Sequence, residues 1–290
     1  MEDYKVIYIN DKLYPKKLLK IKNPPQQLYV MGNIELLNKD SIAIIGSRKC
    51  TDYGEKQAAK FSRQISNSDV CIVSGLAKGI DTIAHLNALC EKGRTIAVLG
   101  SGFNKIYPKD NIDLIKDILK NQGCIITEYS PNICACSYNF VNRNRIVSGL
   151  SNGVLVVEAK YRSGTSITAN FAKSQGKKVY CIPSNLDSKA GYGTGKLIQN
   201  GAKLVLSVND ILEDLGYSKK NIETEKVVKY KIEVDEEYRE IYNSIQNIPI
   251  NIDDICKKTK KNVSEVNIAL TMLELQGVIV SISGNSFIRK

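Results

Sequence analysis

The order of apolar and polar positions divides the chain into a long alternating region and a short C-terminal module. Between residues 41 and 206, apolar runs of strand length alternate with longer amphipathic runs of helix length. They predict strands at 42–45, 70–73, 95–99, 124–127, 154–157, 178–182 and 202–206, and helices at 54–67, 80–91, 111–121, 142–150, 164–175 and 195–200. The stretch 153–157 has no polar residue, which is typical of a strand covered on both faces. The pattern therefore predicts an α/β fold, an open parallel sheet with helices on both faces.

The two ends of the chain differ from this central region, which we assign to residues 41–212. Residues 1–40, with Tyr14-Pro15 and Pro24-Pro25, predict a short helix, a rigid turn and an extended piece that form an N-terminal lead-in. Residues 213–234 are more charged and less apolar, and they are interpreted as a linker.

The C-terminal module, residues 235–290, has the pattern of a winged helix-turn-helix domain. Helices are predicted at 236–245, 252–259 and 263–275, followed by a hairpin of 278–281 and 285–288. The third helix carries Glu265 and Glu274 but no Lys or Arg, so it is a poor reader of the DNA major groove. This composition favours a protein-contact or auxiliary role for the module.

The charge of the chain changes the picture of its central region. The formal net charge is +11, and from residue 219 onward 12 Lys+Arg face 11 Asp+Glu, so residues 1–218 carry the remaining +10. An excess of this size attracts polyanions, nucleic acid first. A lysine-rich composition that serves only solubility is the alternative that stays open.

Cysteine and histidine usage argues against metal sites and histidine-based catalysis. Three of the eight cysteines lie in strand runs, where they act as small apolar residues. Cys134-Ala135-Cys136 could hold a soft metal, but no histidine accompanies it, so neither a metal nor a cofactor is predicted. The single histidine, His85, lies in a helical run and is interpreted as a packing or surface residue. No apolar run could span a bilayer and no secretory signal is visible, so the predicted location is the cytoplasm without a membrane partner.

The loops that follow the strands carry the candidate chemistry. In a parallel sheet these loops meet at one edge, where α/β proteins bind ligands. Here they combine glycines, cations and aromatic side chains with a Gly/Ser/Thr turn at a helix start, which offers free amide groups to an anion. The loop segments are Gly46 to Lys49, Ser74 to Asp81, Gly100 to Pro108, Glu128 to Ser130, Lys160 to Gly164, and Pro183 to Asn185. Phe140 offers a further stacking face, Arg143-Asn144-Arg145 adds two guanidinium groups at the start of the predicted helix 142–150, and Ser163-Gly164-Thr165 is the turn at the helix start. Basic residues interleaved with aromatic ones are typical of single-stranded nucleic acid binding.

Nucleotide fingerprints are missing. No Gly-x-Gly-x-x-Gly follows the first strand, and the P-loop-like segment 191–196 has Ala190 in place of the first glycine and Leu197 in place of Ser or Thr.

Taken in order, these loop segments resemble the DprA/Smf family of DNA-processing proteins. The resemblance covers about residues 14–210 and includes Arg143-Asn144-Arg145 through Ser151, Glu158-Ala159, and Leu197 through Ala202. It implies a Rossmann-like domain that binds single-stranded DNA, forms a homodimer, protects incoming DNA and helps load the RecA recombinase during natural transformation. It implies no catalytic activity. The C-terminal module likewise resembles the winged-helix domain of many members.

The resemblance and the loop chemistry together predict a set of DNA-binding residues. Arg48 would contact phosphate, Arg143 and Arg145 would lie at the DNA groove, and Asn144 would bond a base or sugar. The full set is Gly46, Ser47, Arg48, Lys78, Phe140, Arg143, Asn144, Arg145, Ser163, Gly164, Thr165 and Lys196. The chain departs from the family pattern at Val141, where a proline is common, at Ser184, and at Gly195.

Two other functions stay open. Phosphoribohydrolases of the same Rossmann variety carry Gly-Thr-x-x-Glu with a catalytic Glu, but Thr168 stands at that position here. Glu158 could substitute for that carboxylate, or it could orient Arg143 or Arg145. A winged-helix transcription regulator is disfavoured by the acidic third helix.

Overall fold

The computed structural model describes residues 4–89, 94–161, 163–217, 234–246, 249–282 and 284–289. The chain divides between residues 220 and 221 into two compact units. The predicted linker lies largely outside the described residues, which omit 218–233.

A largely parallel sheet forms the centre of the first unit. Among the described residues its strands are β1 (Lys5–Tyr8), β2 (Gln27–Gly32), β3 (Ser41–Ile45), β4 (Cys71–Ser74), β5 (Thr95–Val98), β6 (Cys124–Thr127), β7 (Gly153–Val156), β8 (Lys178–Cys181) and β9 (Lys203–Leu204). Their spatial order is β1-β2-β6-β5-β4-β3-β7-β8-β9, and every neighbouring pair from β6 to β9 is parallel. The α/β architecture predicted from the alternation is therefore confirmed.

Helices connect these strands. They are α1 (Asp52–Asn67), α2 (Ile80–Leu89), α3 (Ile112–Lys120), α4 (Ser137–Leu150), α5 (Gly164–Ser174), α6 (Tyr192–Gln199) and α7 (Asn209–Leu212). The strands send alternate side chains into two separate apolar clusters: Ile96 and Val98 of β5 join one cluster and Ala97 joins the other. Burial on both faces explains why the strand runs show no polar alternation.

The lead-in is part of this sheet: the extended piece predicted for it is strand β2, and a second strand, β1, precedes it. Strand β2 pairs antiparallel with β6, and β1 pairs antiparallel with β2. Side chains of the lead-in, including Leu18 and Leu28, are fully buried in the main core. The Tyr14 hydroxyl donates to the carbonyl oxygen of Pro25 at 2.7 Å and closes the turn between the two strands. The otherwise parallel sheet thus ends in two antiparallel strands.

The second unit contains three helices and a small antiparallel sheet. Its described elements are α8 (Arg239–Ser244), β10 (Ile250–Asn251), α9 (Ile252–Thr259), α10 (Val263–Leu275), β11 (Ile279–Ile282) and β12 (Ser286–Arg289), with the strand order β10-β12-β11. The arrangement confirms the predicted winged-helix module. Helix α10 begins at a capping box between Asn262 and Glu265. No helix of the described residues is long and apolar enough to cross a membrane.

A buried ion pair joins helix α4 to the residue that follows strand β6, and the same arginine also contacts the lead-in. The Arg145 guanidinium donates to both carboxylate oxygens of Glu128, at 2.7 and 2.6 Å, and its Nε donates to the carbonyl oxygen of Asn23 at 3.0 Å. The two charged side chains are only 10% and 14% exposed, so each charge depends on the other. The pair therefore joins α4 to the end of β6, and the Nε bond to Asn23 attaches the lead-in to the same buried side chain.

We expect the substitution Arg145→Met to lower the free energy of unfolding by about 3 to 5 kcal/mol, because it leaves the Glu128 carboxylate buried without a partner. Urea denaturation measures this loss. The double variant Arg145→Met/Glu128→Leu should recover part of it. The control Arg63→Met, at an exposed position of α1, should change stability by less than about 0.5 kcal/mol. A loss for Arg145→Met no larger than that of the control would contradict this role.

The only histidine of the chain, His85, is fully buried on α2, as a packing residue. Its Nδ1 lies 2.6 Å from the Thr95 hydroxyl of β5, and Nε2 has no hydrogen-bond partner among the described residues. Burial, with a smaller contribution from the positive charge of Arg143, lowers the pKa of His85 from 6.5 to about 3. The imidazole is therefore neutral in the folded protein across the physiological range.

This shift predicts a pH dependence of stability. Below pH 6.5 the unfolded chain binds a proton at His85, whereas the folded chain binds one only near pH 3. The free energy of unfolding should therefore fall as pH drops through this window, by up to about 1.4 kcal/mol per pH unit from this one group. Urea denaturation at several pH values between 7.5 and 5 measures the slope. His85→Gln should show a shallower slope, and parallel profiles for the two proteins would rule the mechanism out.

Candidate nucleic-acid interface

A groove lies at the point where the sheet topology reverses. From β3 the chain adds β4, β5 and β6 toward one edge of the sheet, and from β7 it adds β8 and β9 toward the other. Strands β3 and β7 are neighbours, so the loops after them diverge and leave a crevice at their carboxyl ends. The crevice is a groove of about 710 Å³.

Nine of the twelve predicted DNA-binding residues line this groove. They are Gly46, Ser47, Arg48, Phe140, Arg143, Asn144, Ser163, Gly164 and Thr165. They come from the loop after β3, from α4 and from the start of α5. The groove therefore brings together residues that lie more than a hundred positions apart in the sequence.

Helix α4 supplies one wall. It begins at Ser137 and not near residue 142, so Phe140 lies within the helix. Val141 retains the amide N–H that a proline would lack, and the first turns of the helix can form. The groove residues Phe140, Arg143, Asn144 and Val147 then share one helical face by their spacing of three and four.

The Phe140 ring is the centre of a cation–aromatic cluster in the groove. The Arg48 guanidinium lies 5.7 Å from the ring centroid and that of Arg143 lies 5.9 Å from it. The Tyr107 ring packs against Phe140 with 5.6 Å between centroids and is itself about half exposed. Arg48 is exposed, so the groove presents a cation beside accessible aromatic surface.

Arg143 forms the buried floor of the groove. Its Nη1 donates to the carbonyl oxygen of Gly75 at 2.5 Å and to that of Val98, and its Nε donates to the Asn144 side-chain oxygen at 3.2 Å. Burial lowers the pKa of Arg143 to about 10, against the opposing effect of the Asp81 carboxylate, and the side chain stays charged at neutral pH. Arg143 thus places a fixed positive charge under the groove and orients Asn144.

Two glycines allow the loops to approach this closely. A Cβ at Gly75 would lie 2.7 Å from Nη2 of Arg143, so a larger residue would displace the guanidinium. Gly79 has φ +78°, and a Cβ there would lie 2.4 Å from the carbonyl oxygen of Ser47. A hydrogen bond next to Gly79 also holds the loop that carries Arg48: the Ile80 amide donates to the Ser47 carbonyl oxygen at 3.2 Å.

The start of α5 forms the opposite wall. Ser163 occupies the N-cap position without a side-chain capping bond, and its Oγ is buried with no hydrogen-bond partner among the described residues. The Thr165 hydroxyl donates to the Gly46 carbonyl oxygen at 3.1 Å and ties α5 to the loop after β3. The first amide groups of the helix have no acceptor within the helix and can serve an anion in the groove.

Three predicted site residues do not line the groove. Arg145 is wrong as a groove residue, because its guanidinium is used in the buried pair with Glu128. Lys78 lies outside the lining and pairs with Asp110 at 2.8 Å on the surface. Lys196 also lies outside it, with its ammonium 5.8 Å from the Tyr192 ring centroid.

The groove is also lined by two lysines that were not in our predicted set of DNA-binding residues. Lys49 follows Arg48 directly, and Lys160 follows β7 in the loop before α5; both are exposed. Their positions after strands β3 and β7 were a usable signal, because the loops after these two strands line the two sides of the crevice where the topology reverses.

Glu158 plays a structural role that differs from both roles we considered for it. Its carboxylate accepts the Thr51 amide at 3.0 Å and the Thr51 hydroxyl, at the N-cap of α1. The single carboxylate among the described lining residues is Asp81, and one of its oxygens already accepts the amides of Gly75 and Ala77. Burial raises the pKa of Asp81, and the Arg143 charge opposes that rise. The groove can thus bind an anion, because its one described carboxylate, that of Asp81, is already hydrogen-bonded to the loop after β4.

Comparisons with known proteins match both units. A family model described as DNA recombination-mediator protein A covers residues 5–216, and one described as the DprA winged helix domain covers residues 231–285. Protein Smf of Escherichia coli is 34% identical over 97% of this chain and 76% of its own length. The X-ray structure of DNA processing protein A from Streptococcus pneumoniae is 40% identical, with a TM-score of 0.70 over 76% of each chain.

A second solved structure describes the single-stranded DNA binding mode of DNA processing protein A from Helicobacter pylori. That protein is 31% identical to this chain, and the two match with a TM-score of 0.67 over 73% of this chain and 95% of the other.

Proposed function

The chain belongs to the DNA recombination-mediator protein A family and is a DNA-processing recombination mediator, and on this premise we propose that its groove at the β3–β7 reversal binds single-stranded DNA. The observation that carries the proposal is the cluster of Arg48, Phe140 and Tyr107 in an open, cation-lined groove. Unpaired bases stack on aromatic faces, whereas the bases of a duplex are already stacked on each other. The Helicobacter pylori relative, which binds single-stranded DNA, supports the same assignment.

The groove offers separate elements for bases and for phosphates. Phe140 and Tyr107 supply the stacking surface. Arg48, Lys49 and Lys160 are the exposed cations of the lining and would neutralise phosphates along the strand. The amides at the start of α5 would donate hydrogen bonds to one phosphate, since they carry the positive end of the helix dipole.

Binding without catalysis fits this groove best. A phosphoribohydrolase would need a carboxylate free to act on a sugar, and Glu158 is bound to Thr51 at the start of α1. Asp81 is buried and holds two loop amides. We therefore propose a mediator that acts by holding its DNA.

The biological setting that we propose follows from the family. The chain would act in the cytoplasm as a homodimer, protect incoming single strands and help load RecA onto them during natural transformation. The winged-helix module would contact protein in this setting. Its helix α10 has no Lys or Arg and exposes the apolar side chains of Ile268, Met272 and Leu275, which suit a protein surface better than a DNA groove.

We expect the full chain to bind a labelled oligo-dT in fluorescence anisotropy, and unlabelled duplex should displace it poorly. Arg48→Ala should weaken the complex by about 1 to 3 kcal/mol, because it removes a charged contact beside the stacking ring. The affinity should also fall less steeply with salt: the magnitude of the slope of log affinity against log salt concentration should decrease by about 0.7, the value for one phosphate contact on a single strand. Arg63→Ala removes the same charge from an exposed site on α1 and is the matched control.

Equal affinities for Arg48→Ala and Arg63→Ala would show that Arg48 does not contact the DNA. If the unsubstituted chain fails to bind at low salt, the proposal that the groove binds DNA is wrong.

The role of the winged-helix module is tested by comparing residues 1–218 with the full chain. We expect the fragment to keep most of the single-strand affinity, because residues 1–218 carry +10 of the net charge. The full chain should raise the rate at which RecA hydrolyses ATP on that DNA. Loss of DNA binding in the fragment, together with DNA binding by the module alone, would assign the site to the module. An unchanged RecA rate would exclude RecA as a partner.

A further inference from the structure

Two cysteines lie in the loop that leads into α4, the helix that forms one wall of the groove. Cys134 and Cys136 are both exposed and are separated only by Ala135. Three other described cysteines, Cys71, Cys124 and Cys181, are buried in the strands, and the remaining two, Cys50 and Cys256, are half-buried. Cys134 and Cys136 therefore present the accessible thiols of the described part of the chain.

A second hollow opens beside Cys134. It measures about 670 Å³ and is lined by Cys134 together with Lys105 and Lys109, over a floor that includes Phe103 and Ile112. We call it the side hollow. Its volume falls within the usual range for small-molecule sites, roughly 300 to 1,000 Å³. Both lysines are exposed, so the side hollow favours a small anionic reactant next to the thiol.

The thiol pair is connected to the groove through the backbone. The Cys136 carbonyl oxygen accepts the Phe140 amide at 3.2 Å, and Cys136 is the N-cap residue of α4. The Cys134 carbonyl oxygen accepts the side-chain amide of Asn139 at 3.3 Å. The first turn of α4, including the stacking ring of Phe140, is therefore held by the two residues that carry the thiols. A change in the backbone between them would move Phe140.

We propose that Cys134 and Cys136 form a thiol–disulfide exchange site that reacts with anionic low-molecular-weight disulfides bound in the side hollow, and that the resulting Cys134–Cys136 disulfide weakens DNA binding in the groove. The site itself stands on the cysteine loop and the side hollow. Its effect on DNA rests on the proposed function of the groove.

The exchange proceeds in two balanced steps. The Cys134 thiolate attacks one sulfur of the reactant disulfide, forms a mixed disulfide and releases one thiolate, which takes up a proton. Cys136 then loses its proton, attacks the Cys134 sulfur of the mixed disulfide and expels the second small thiol. Two electrons pass from the two cysteine sulfurs to the reactant, which leaves as two thiols. A reduced low-molecular-weight thiol in excess reverses both steps.

Closing this bond requires the loop to contract. Disulfides bring the two Cα atoms to within about 4.4 to 6.8 Å, whereas residues two apart in extended chain can be about 7 Å apart. Cys136 is extended, with φ −145° and ψ 164°. Contraction would shift the carbonyl groups that hold Asn139 and Phe140, and the start of α4 would lose its present anchor.

The first measurement is the formation of the bond itself. The full chain is incubated with oxidised glutathione, which is anionic, or with cystamine, which is cationic. Free thiols are titrated, and mass spectrometry of the peptide that contains both cysteines detects the internal disulfide. We expect oxidised glutathione to form it faster than cystamine. Lys105→Ala/Lys109→Ala should slow the glutathione reaction alone, and Lys56→Ala/Lys60→Ala on α1 is the charge-matched control.

The second measurement is the affinity for oligo-dT before and after oxidation. We expect oxidation to weaken binding about tenfold, equivalent to roughly 1.4 kcal/mol, and dithiothreitol to restore it. Cys134→Ser/Cys136→Ser should bind like the reduced chain and ignore oxidation. Cys50→Ser/Cys256→Ser should keep the full oxidation response. Saturating oligo-dT should in turn shift the equilibrium with oxidised and reduced glutathione toward the reduced cysteine pair, because the equilibrium coupling between two sites is reciprocal.

Two results would overturn the proposal. One is a cysteine peptide that stays reduced or carries only glutathione, which would refute the exchange site. The other is an internal disulfide that leaves the affinity unchanged, which would refute its effect on the groove. A reduced chain that fails to bind oligo-dT would instead refute the proposed function, while the peptide analysis would still decide the exchange site.

Discussion

The buried guanidinium of Arg143 is the contact on which the groove depends. It joins the loop after β4, at Gly75, to the end of β5, at Val98, and it fixes both to helix α4. A buried cation is stable only where polar groups replace its water, and here two carbonyl oxygens and the Asn144 side chain do so. Removing it would therefore leave acceptors unsatisfied in three elements at once.

Arg143 and Arg145 are only two positions apart in the sequence, and for that reason we predicted that both line the groove. Only Arg143 does so. Residues two apart on a helix point about 200° away from each other, since each residue turns the helix by about 100°. Arg143 therefore faces the groove, while Arg145 faces the lead-in and binds Glu128. The helix was predicted, so its period alone could have separated the two roles. We instead gave both arginines of Arg143-Asn144-Arg145 the same role, without considering which face of the helix each one lies on.

Other differences could not be predicted in this way. The alternation of apolar runs predicted the parallel strands, because each lies between helices in the sequence. Strand β2 instead pairs with β6, almost a hundred residues away, and no local pattern encodes that partner. The role of Glu158 could not be predicted for the same reason. It binds Thr51, the N-cap residue of α1, which lies 107 positions earlier in the sequence. The loops predicted the edge of the sheet at which the groove lies, and the strand order decided which loops line it.

The cations of the groove divide into two kinds with different physical consequences. Arg48, Lys49 and Lys160 are exposed, so dissolved salt screens them, and they can attract a strand from a distance only at low ionic strength. Arg143 is shielded by the protein and keeps its field close to the Phe140 ring whatever the salt concentration. On the proposed function, different residues would therefore attract the DNA strand and position it in the groove. High salt should remove the first and leave the geometry of the second intact, because the bonds of Arg143 lie within the protein.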